Sequence, residues 1–156
     1  MSKDLENLLV VSIEQAVAAP YLSSRLADAG ARVIKVEAPE VGDDSRSFGP
    51  FIDDQSAYFM SLNRGKESIA LNLKNEDDKK IFEKILSKSD ILVENFKPGT
   101  LEKWGFGYKE VSKKYPKLIY ASASGFGQTG PFKSLPAYDM VVQGMGGLMS
   151  VTGHPN

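Results

Sequence analysis

An α/β domain built on a doubly wound parallel sheet is the fold this sequence predicts. Three observations carry that expectation. Short apolar, β-branched runs recur along the chain, as strands buried on both faces require. Segments with helical spacing lie between them, bounded by proline, asparagine and glycine. Strands and helices alternate, and that order makes consecutive strands parallel, with the helices as crossovers.

The elements follow in order. "LLVVSI", Leu8 to Ile13, is a continuous apolar run and reads as the first strand. "APYLSSRLADAG" reads as a helix, with Pro20 near its start, Leu22 and Leu26 four apart, and Gly30 as its stop. "ARVIKVEAP" mixes Val33, Ile34 and Val36 with polar positions and ends at Pro39, a second strand that completes a β-α-β opening. "ESIALNLK" reads as a strand. Asn75 then caps a helix with Glu76, Asp77 and Asp78 in its first turn and Lys84 and Lys88 toward its end. Ile81, Phe82, Ile85 and Leu86 give that helix one apolar face. "DILVEN" is a strand, "GTLEKWGF" and "YKEVSKKYP" are short helical pieces, and "KLIYASAS" is a further strand.

Composition narrows the function. The 156 residues fit one domain, and a net charge of −1 gives no electrostatic case for nucleic acid or an anionic membrane. With no cysteine and one histidine, His154, the chain lacks the parts for disulfides, the usual zinc sites and Ser–His triads. His154 lies in a turn-forming "GHPN" and reads as a bystander. "MSKDLENLLVVSIEQ" has no signal-peptide layout, and no apolar stretch reaches membrane-spanning length. A soluble, cytoplasmic protein is the expectation.

Two long segments lack periodicity, Glu40 to Asn63 and Gly125 to Ala137. Long loops on an α/β scaffold are often functional, and these mix aromatic residues, Arg46 and paired acids. The turn after the first strand, "EQAVAAP", has no glycine before Gly30, so the dinucleotide fingerprint is missing although Glu37 occupies the place of a ribose-binding acid.

Seven stretches occur together and in order: "QAVAAP", "ADAGARVIKVEAP", "GDDSR", "LNRGKESIALNLK", "ILVENFKPGTLEKWGFGY", "LIYASASGFGQTGP" and "YDMVVQGMGGLMSVTG". From about Leu8 to Gly153 the chain resembles the class III CoA transferases, the family of formyl-CoA and carnitine-CoA transferases and α-methylacyl-CoA racemases. "VENFKPG" followed by "GFGQTGP" is the most specific part of that resemblance. It implies a Rossmann-like fold that is the N-terminal part of a larger, interlocked homodimer. Coenzyme A or acyl-CoA is then a substrate rather than a tightly bound cofactor, with small carboxylic acids as the other partners.

Carried over by position, Gln15, Val17 and Ala18 match residues lining the thioester and pantetheine. Arg46, Leu71, Lys74, Asn95, Phe96, Lys97 and Lys103 match the nucleotide end, where Lys and Arg pair with phosphates. Ala38 stands where some transferases have arginine, so those contacts are redistributed. Trp104 and Phe106 read as packing residues, and "DDKK", Asp77 to Lys80, as a solvated helix face.

Tyr138 and Asp139 complete the matched set and separate two activities. Racemases place a histidine where this chain has Tyr138, because shuttling an α-proton needs a second base near neutral pKa. Tyrosine favours a transferase, in which an aspartate attacks the acyl-CoA to give a mixed anhydride and then an aspartyl-CoA thioester. The resemblance puts that nucleophile beyond Asn156, so the chain is expected to be an N-terminal CoA-binding portion, inactive alone, without the nucleophile and small domain. A racemase-type isomerase and a non-catalytic CoA-binding module are the alternatives. The ladder Met140, Val141, Val142, Met145, Leu148, Met149 and Val151 reads as a helix from about Asp139 to Met149 that needs a packing partner.

Overall fold

A computed structural model describes residues 4–154, and Pro155 and Asn156 of the "GHPN" turn lie outside them. The main sheet contains β1 (Leu9–Ile13), β2 (Arg32–Glu37), β5 (Lys66–Ala70), β6 (Ile91–Glu94) and β7 (Ile119–Ser122). All neighbours are parallel, in the order β5-β2-β1-β6-β7. This is the strand order of a Rossmann-like sheet, with its reversal between β1 and β6. Helix α1 (Ala18–Asp28) joins β1 to β2, and α3 (Glu76–Leu86) joins β5 to β6. The short helices α4 (Thr100–Trp104) and α5 (Tyr108–Lys114) lead into β7.

Two apolar clusters show the double winding. Val10, Val33 and Val93 pack with Ala19 and Leu26 of α1 on one face. Val11, Ile13, Val36 and Leu92 pack with Phe82 and Leu86 of α3, Leu101 of α4 and Val111 of α5 on the other. Neighbouring residues on one strand serve opposite faces because successive Cβ atoms alternate. Trp104 packs at the rim of the second cluster and Phe106 lies inside it, as the sequence predicts.

Local chemistry sets the boundaries of α3. The Asn75 carboxamide oxygen accepts from Asp77 N at 2.9 Å and Asp78 N at 3.2 Å, capping the helix as expected. The helix ends at Leu86, short of Lys88.

The segment Glu40 to Asn63 is more structured than its lack of periodicity implies. It contains a 3₁₀ turn (Asp44–Ser47), the hairpin β3 (Phe51–Ile52) and β4 (Gln55–Ser56), and α2 (Ala57–Asn63). Ser56 Oγ caps α2 by accepting from Phe59 N at 3.0 Å. At seven residues, α2 is too short for an apolar period to stand out. Gly125 to Ala137 forms no helix or strand. It doubles back on itself tightly, since a Cβ on Gly125 would lie 1.9 Å from that of Ala137.

The last helix is shorter than predicted. Helix α6 spans Asp139–Met145, and a separate 3₁₀ turn covers Leu148–Val151. Gly147, with φ +78°, breaks the two apart, a conformation that suits glycine. Neither piece buries a residue, and Met140, Met145, Leu148 and Val151 stand more than half exposed. An apolar patch of this kind drives association. The expected result is a light-scattering mass above that of one chain, or rapid cleavage after Gly125 in limited proteolysis. A monodisperse monomer whose last thirty or so residues resist protease contradicts this.

Candidate functional site

The carboxyl ends of the sheet strands carry the chemistry-bearing groups, beside the reversal between β1 and β6. Open α/β sheets bind ligands there. The backbone at that point is held from two sides. Asn95, just past β6, accepts from Gln15 N at 2.8 Å and donates back to Gln15 O at 2.8 Å. The Gln15 side chain accepts from Asp44 N at 2.9 Å, tethering the 3₁₀ turn. Gln15 and Asn95, both predicted site residues, thus meet, and Asn95 acts as a clamp on the main chain.

Two cavities flank this ridge. A smaller one of about 220 Å³ lies over the ends of β1, β2 and β5 and is closed by Phe96 and Trp104. It gathers four predicted residues, Gln15, Leu71, Lys74 and Phe96, together with Ala38. Phe96 and Trp104 meet edge to face with ring centroids 5.4 Å apart. A larger one of about 610 Å³ lies over the ends of β6 and β7, lined by Glu94, Lys97, Tyr108, Tyr120, Ser122 and Gln128 among others. Adjacent residues Phe96 and Lys97 therefore face different cavities.

The remaining predicted residues lie apart. Val17 and Ala18 open α1 beside the ridge, where no side chain caps the helix. Lys103 is exposed on α4 and lines neither cavity. Tyr138 is 78% exposed, and Asp139, also exposed, accepts a hydrogen bond from Gln143 one turn along α6. Arg46 is not a free cation. Its Nε and Nη2 each donate to Glu37 at 2.8 Å, and its guanidinium lies 3.8 Å from the centre of the Phe59 ring. Among the described residues, Lys74, Lys97 and Lys103 form no ion pair.

Glu37 explains why the ribose-binding position does not work as one. Beside the Arg46 fork, it accepts from Asp43 N at 3.0 Å and Ser68 Oγ at 2.6 Å, so its oxygens are occupied. Gly42 is required for this closure, since a Cβ there would approach Arg46 Cδ and Glu37 Oε2 to 2.9 Å. Burial pushes the Glu37 carboxyl up, but the bonds from Arg46, Ser68 and Asp43 outweigh it and hold it at about 2. With a folded value below the ordinary 4.5, Glu37 contributes stability in full above about pH 4.5. That contribution declines as pH falls and is gone below about pH 2. In Glu37→Gln, the acid-side fall in unfolding free energy is expected to flatten over that window. An unchanged profile contradicts the pairing.

A buried charge cluster, outside the sequence-based expectations, lies under this loop. Glu14, Lys35, Asp43 and Lys66 are all within 2% of complete side-chain burial. Lys35 Nζ lies 2.5 Å from Asp43 Oδ2 and 2.8 Å from Asn63 Oδ1. Lys66 Nζ lies 2.7 Å from Glu14 Oε1 and also donates to Asn63 Oδ1 and Pro20 O. Ser23 Oγ donates to the Glu14 carboxylate at 2.8 Å. Two acids and two lysines cancel, which makes their burial tolerable. Burial lowers the Lys66 pKa despite Glu14, whereas Lys35 and Ser45 hold Asp43 below its ordinary value against burial. The signal was Lys35 itself: a lysine in the middle of a strand whose sheet is covered on both faces has no solvent side.

In the larger cavity, Glu94 accepts from Phe96 N at 2.8 Å and from Ser122 Oγ, which in turn accepts from Gln128 Nε2 at 2.6 Å. Burial pushes the Glu94 carboxyl above its ordinary value, partly offset by those two donors. Glu94, Glu102 and Glu110 against Lys97 and Lys109 make this cavity mixed in charge. The smaller cleft, with Glu37 neutralised by Arg46, keeps Lys74 as its uncompensated charge.

Comparison with known proteins gives a consistent picture. The profile of CoA-transferase family III matches residues 5–156. Acetyl-CoA:oxalate CoA-transferase of Acetobacter aceti is 52% identical over 151 residues, covering 97% of this chain and 39% of that protein. Succinyl-CoA:glutarate CoA-transferase of Mus musculus is 43% identical over 152 residues, covering 97% of this chain and 35% of that protein. A crystal structure of a CAIB/BAIF family protein from Brucella suis superposes with a TM-score of 0.92 at 40% identity, covering all of this chain and 42% of that one. The chain spans about two fifths of the length of the relatives it matches.

Proposed function

The chain belongs to CoA-transferase family III, and from that premise we propose that it is the N-terminal CoA-binding portion of an enzyme moving CoA between an acyl-CoA thioester and a carboxylic acid. One observation carries the placement of the ligand: the smaller cleft combines an apolar floor, the Phe96–Trp104 pair and the uncompensated Lys74. Such a lining fits a purine with phosphate at its rim, because a base stacks on aromatic faces while a lysine meets the anion. Trp104, read from sequence as packing alone, becomes a binding residue in this proposal. From the cleft the ligand crosses the Gln15–Asn95 ridge toward Lys97, Val17 and Ala18. Arg46 then serves mainly to hold Glu37, and Lys103, Tyr138 and Asp139 lie at the periphery of the described site.

Transfer proceeds in this reading through an aspartyl anhydride and an aspartyl-CoA thioester. The acids near the strand ends are already engaged, Glu94 by Phe96 N and Ser122 Oγ. Glu14, Glu37 and Asp43 are buried and ion-paired, and Asp139 is exposed and bonded to Gln143. These 156 residues alone are therefore expected to bind CoA without turning it over, in the cytoplasm and, in the whole protein, as a homodimer. Tyr138 in place of a histidine supports transfer over racemisation.

Calorimetric titration of the chain with CoA tests this. Trp104→Ala is expected to weaken binding roughly fivefold or more, from the usual worth of base–aromatic stacking. Lys74→Ala with Lys97→Ala should weaken it further. Binding unchanged by the lysine pair overturns their assignment, and binding unchanged by Trp104→Ala overturns the placement of the base. Turnover of acyl-CoA by the chain alone at roughly 1 per second or more contradicts the inactivity.

A further inference from the structure

Ala16 stands at the tip of the ridge with φ +60°, a left-handed conformation that alanine adopts rarely. Its neighbour Gln15 is fixed by Asn95, but the Ala16 amide itself has a different partner. It donates to Asp43 Oδ1 at 3.2 Å. The same oxygen accepts from Ser45 N at 2.9 Å and Ser45 Oγ at 2.6 Å, and the other oxygen of Asp43 pairs with buried Lys35. Asp43 is thus the link between the buried charge cluster and the turn that opens α1. Strained residues persist where surrounding structure over-determines them, and they concentrate at functional sites.

We propose that Asp43, anchored by Lys35, is a positioning residue that holds Gln15, Ala16 and Val17 in the conformation a bound CoA meets. The inference rests on the CoA-binding reading above, because it assigns the turn to the ligand's path. Lys35 fixes the carboxylate from below, since its ammonium is itself held by Asn63. A carboxylate free to rotate would share its bonds among solvent and loop amides. Pinned, it keeps one oxygen aimed at Ala16. Asn95 secures the turn from β6 and Asp43 secures it from the loop after β2, so the ridge is braced across both strands that flank β1.

The test measures two things on the whole chain: site-resolved amide hydrogen exchange without ligand, and CoA affinity by calorimetry. Asp43→Ala is expected to speed Ala16 exchange roughly tenfold beyond any change at Val11 in the middle of β1, which reports global stability; tenfold is about the worth of one hydrogen bond. CoA affinity should fall by a similar factor. Asp43→Asn keeps an oxygen for Ala16 and Ser45 but sets its amide nitrogen against the Lys35 ammonium, so both readouts should fall between those of Asp43→Ala and the parent chain. Ser23→Ala, which loosens Glu14 in the same cluster without touching the turn, should leave Ala16 unchanged. Where Asp43→Ala does not fold, Lys35→Met combined with Asp43→Leu removes the acceptor without stranding a cation, and the same rise at Ala16 is expected. Unchanged Ala16 exchange in folded Asp43→Ala, or in Lys35→Met with Asp43→Leu, overturns the proposal, as does an equal effect from Ser23→Ala. If the unmodified chain does not bind CoA, the CoA reading fails, while the exchange comparison still decides whether Asp43 positions the turn.

Discussion

Replacing Lys35 with methionine is expected to destabilise the fold by about 3–5 kcal/mol, the usual cost of breaking a buried ion pair from one side. Lys35 is 1% exposed and serves Asp43 directly, with Glu14 at 3.7 Å. Without its charge, two buried carboxylates face only Lys66. Methionine matches the lysine stem in volume, so the loss comes from electrostatics rather than from a cavity. Chemical denaturation measures it. The control is Lys35→Met with Asp43→Asn, in which one acid and one lysine remain and the amide still accepts from Ala16 and Ser45. That double variant should be more stable than the single one. A single variant within about 0.5 kcal/mol of the parent chain, or a double variant whose losses simply add, shows that the cluster is not a coupled unit.

Phe82→Ala is the second large effect, also expected at about 3–5 kcal/mol. Phe82 is fully buried where α3 crosses the sheet, and it meets Phe106 edge to face at 4.7 Å between ring centroids. Truncation removes that contact and leaves a cavity between α3 and the segment joining α4 to α5. For a chain of this size the melting temperature should fall by roughly 10 °C. Phe82→Leu, which keeps most of the volume, should cost less than half as much. Met145→Ala on exposed α6 should stay within about 0.5 kcal/mol by the same assay. A loss under about 1 kcal/mol for Phe82→Ala would mean that the site collapses to fill the gap.

Much of the sheet was legible because its signals are local. β1, β2, β5, β6 and β7 are apolar or alternating runs, and Asn75 with the acids after it announces α3 within a few residues. The segment Glu40 to Asn63 was not legible. Its hairpin strands are two residues each and α2 is seven, too short for either period to register. Helix α6 ends at Met145 because glycines break it, although the apolar ladder continues past them.

The site divides along the same line. The order of motifs was enough to place Gln15, Leu71, Lys74, Asn95 and Phe96 near the strand ends, since residues following parallel strands share one edge of a sheet. Only the tertiary structure decided what those side chains do. It turned Asn95 into a backbone clamp, engaged Arg46 with Glu37, sent Phe96 and Lys97 to different cavities, and brought Trp104 to the cleft. It also collected Glu14, Lys35, Asp43 and Lys66 from four separate stretches of chain. Periodicity reports which face of an element a residue occupies. Whether a charge on that face meets water or an opposite charge depends on what the rest of the chain lays over it. The sequence by itself determined the strands of the main sheet, the α1 and α3 crossovers and the family. Long-range packing alone decided which polar groups near the strand ends engage one another and which carry no ion pair.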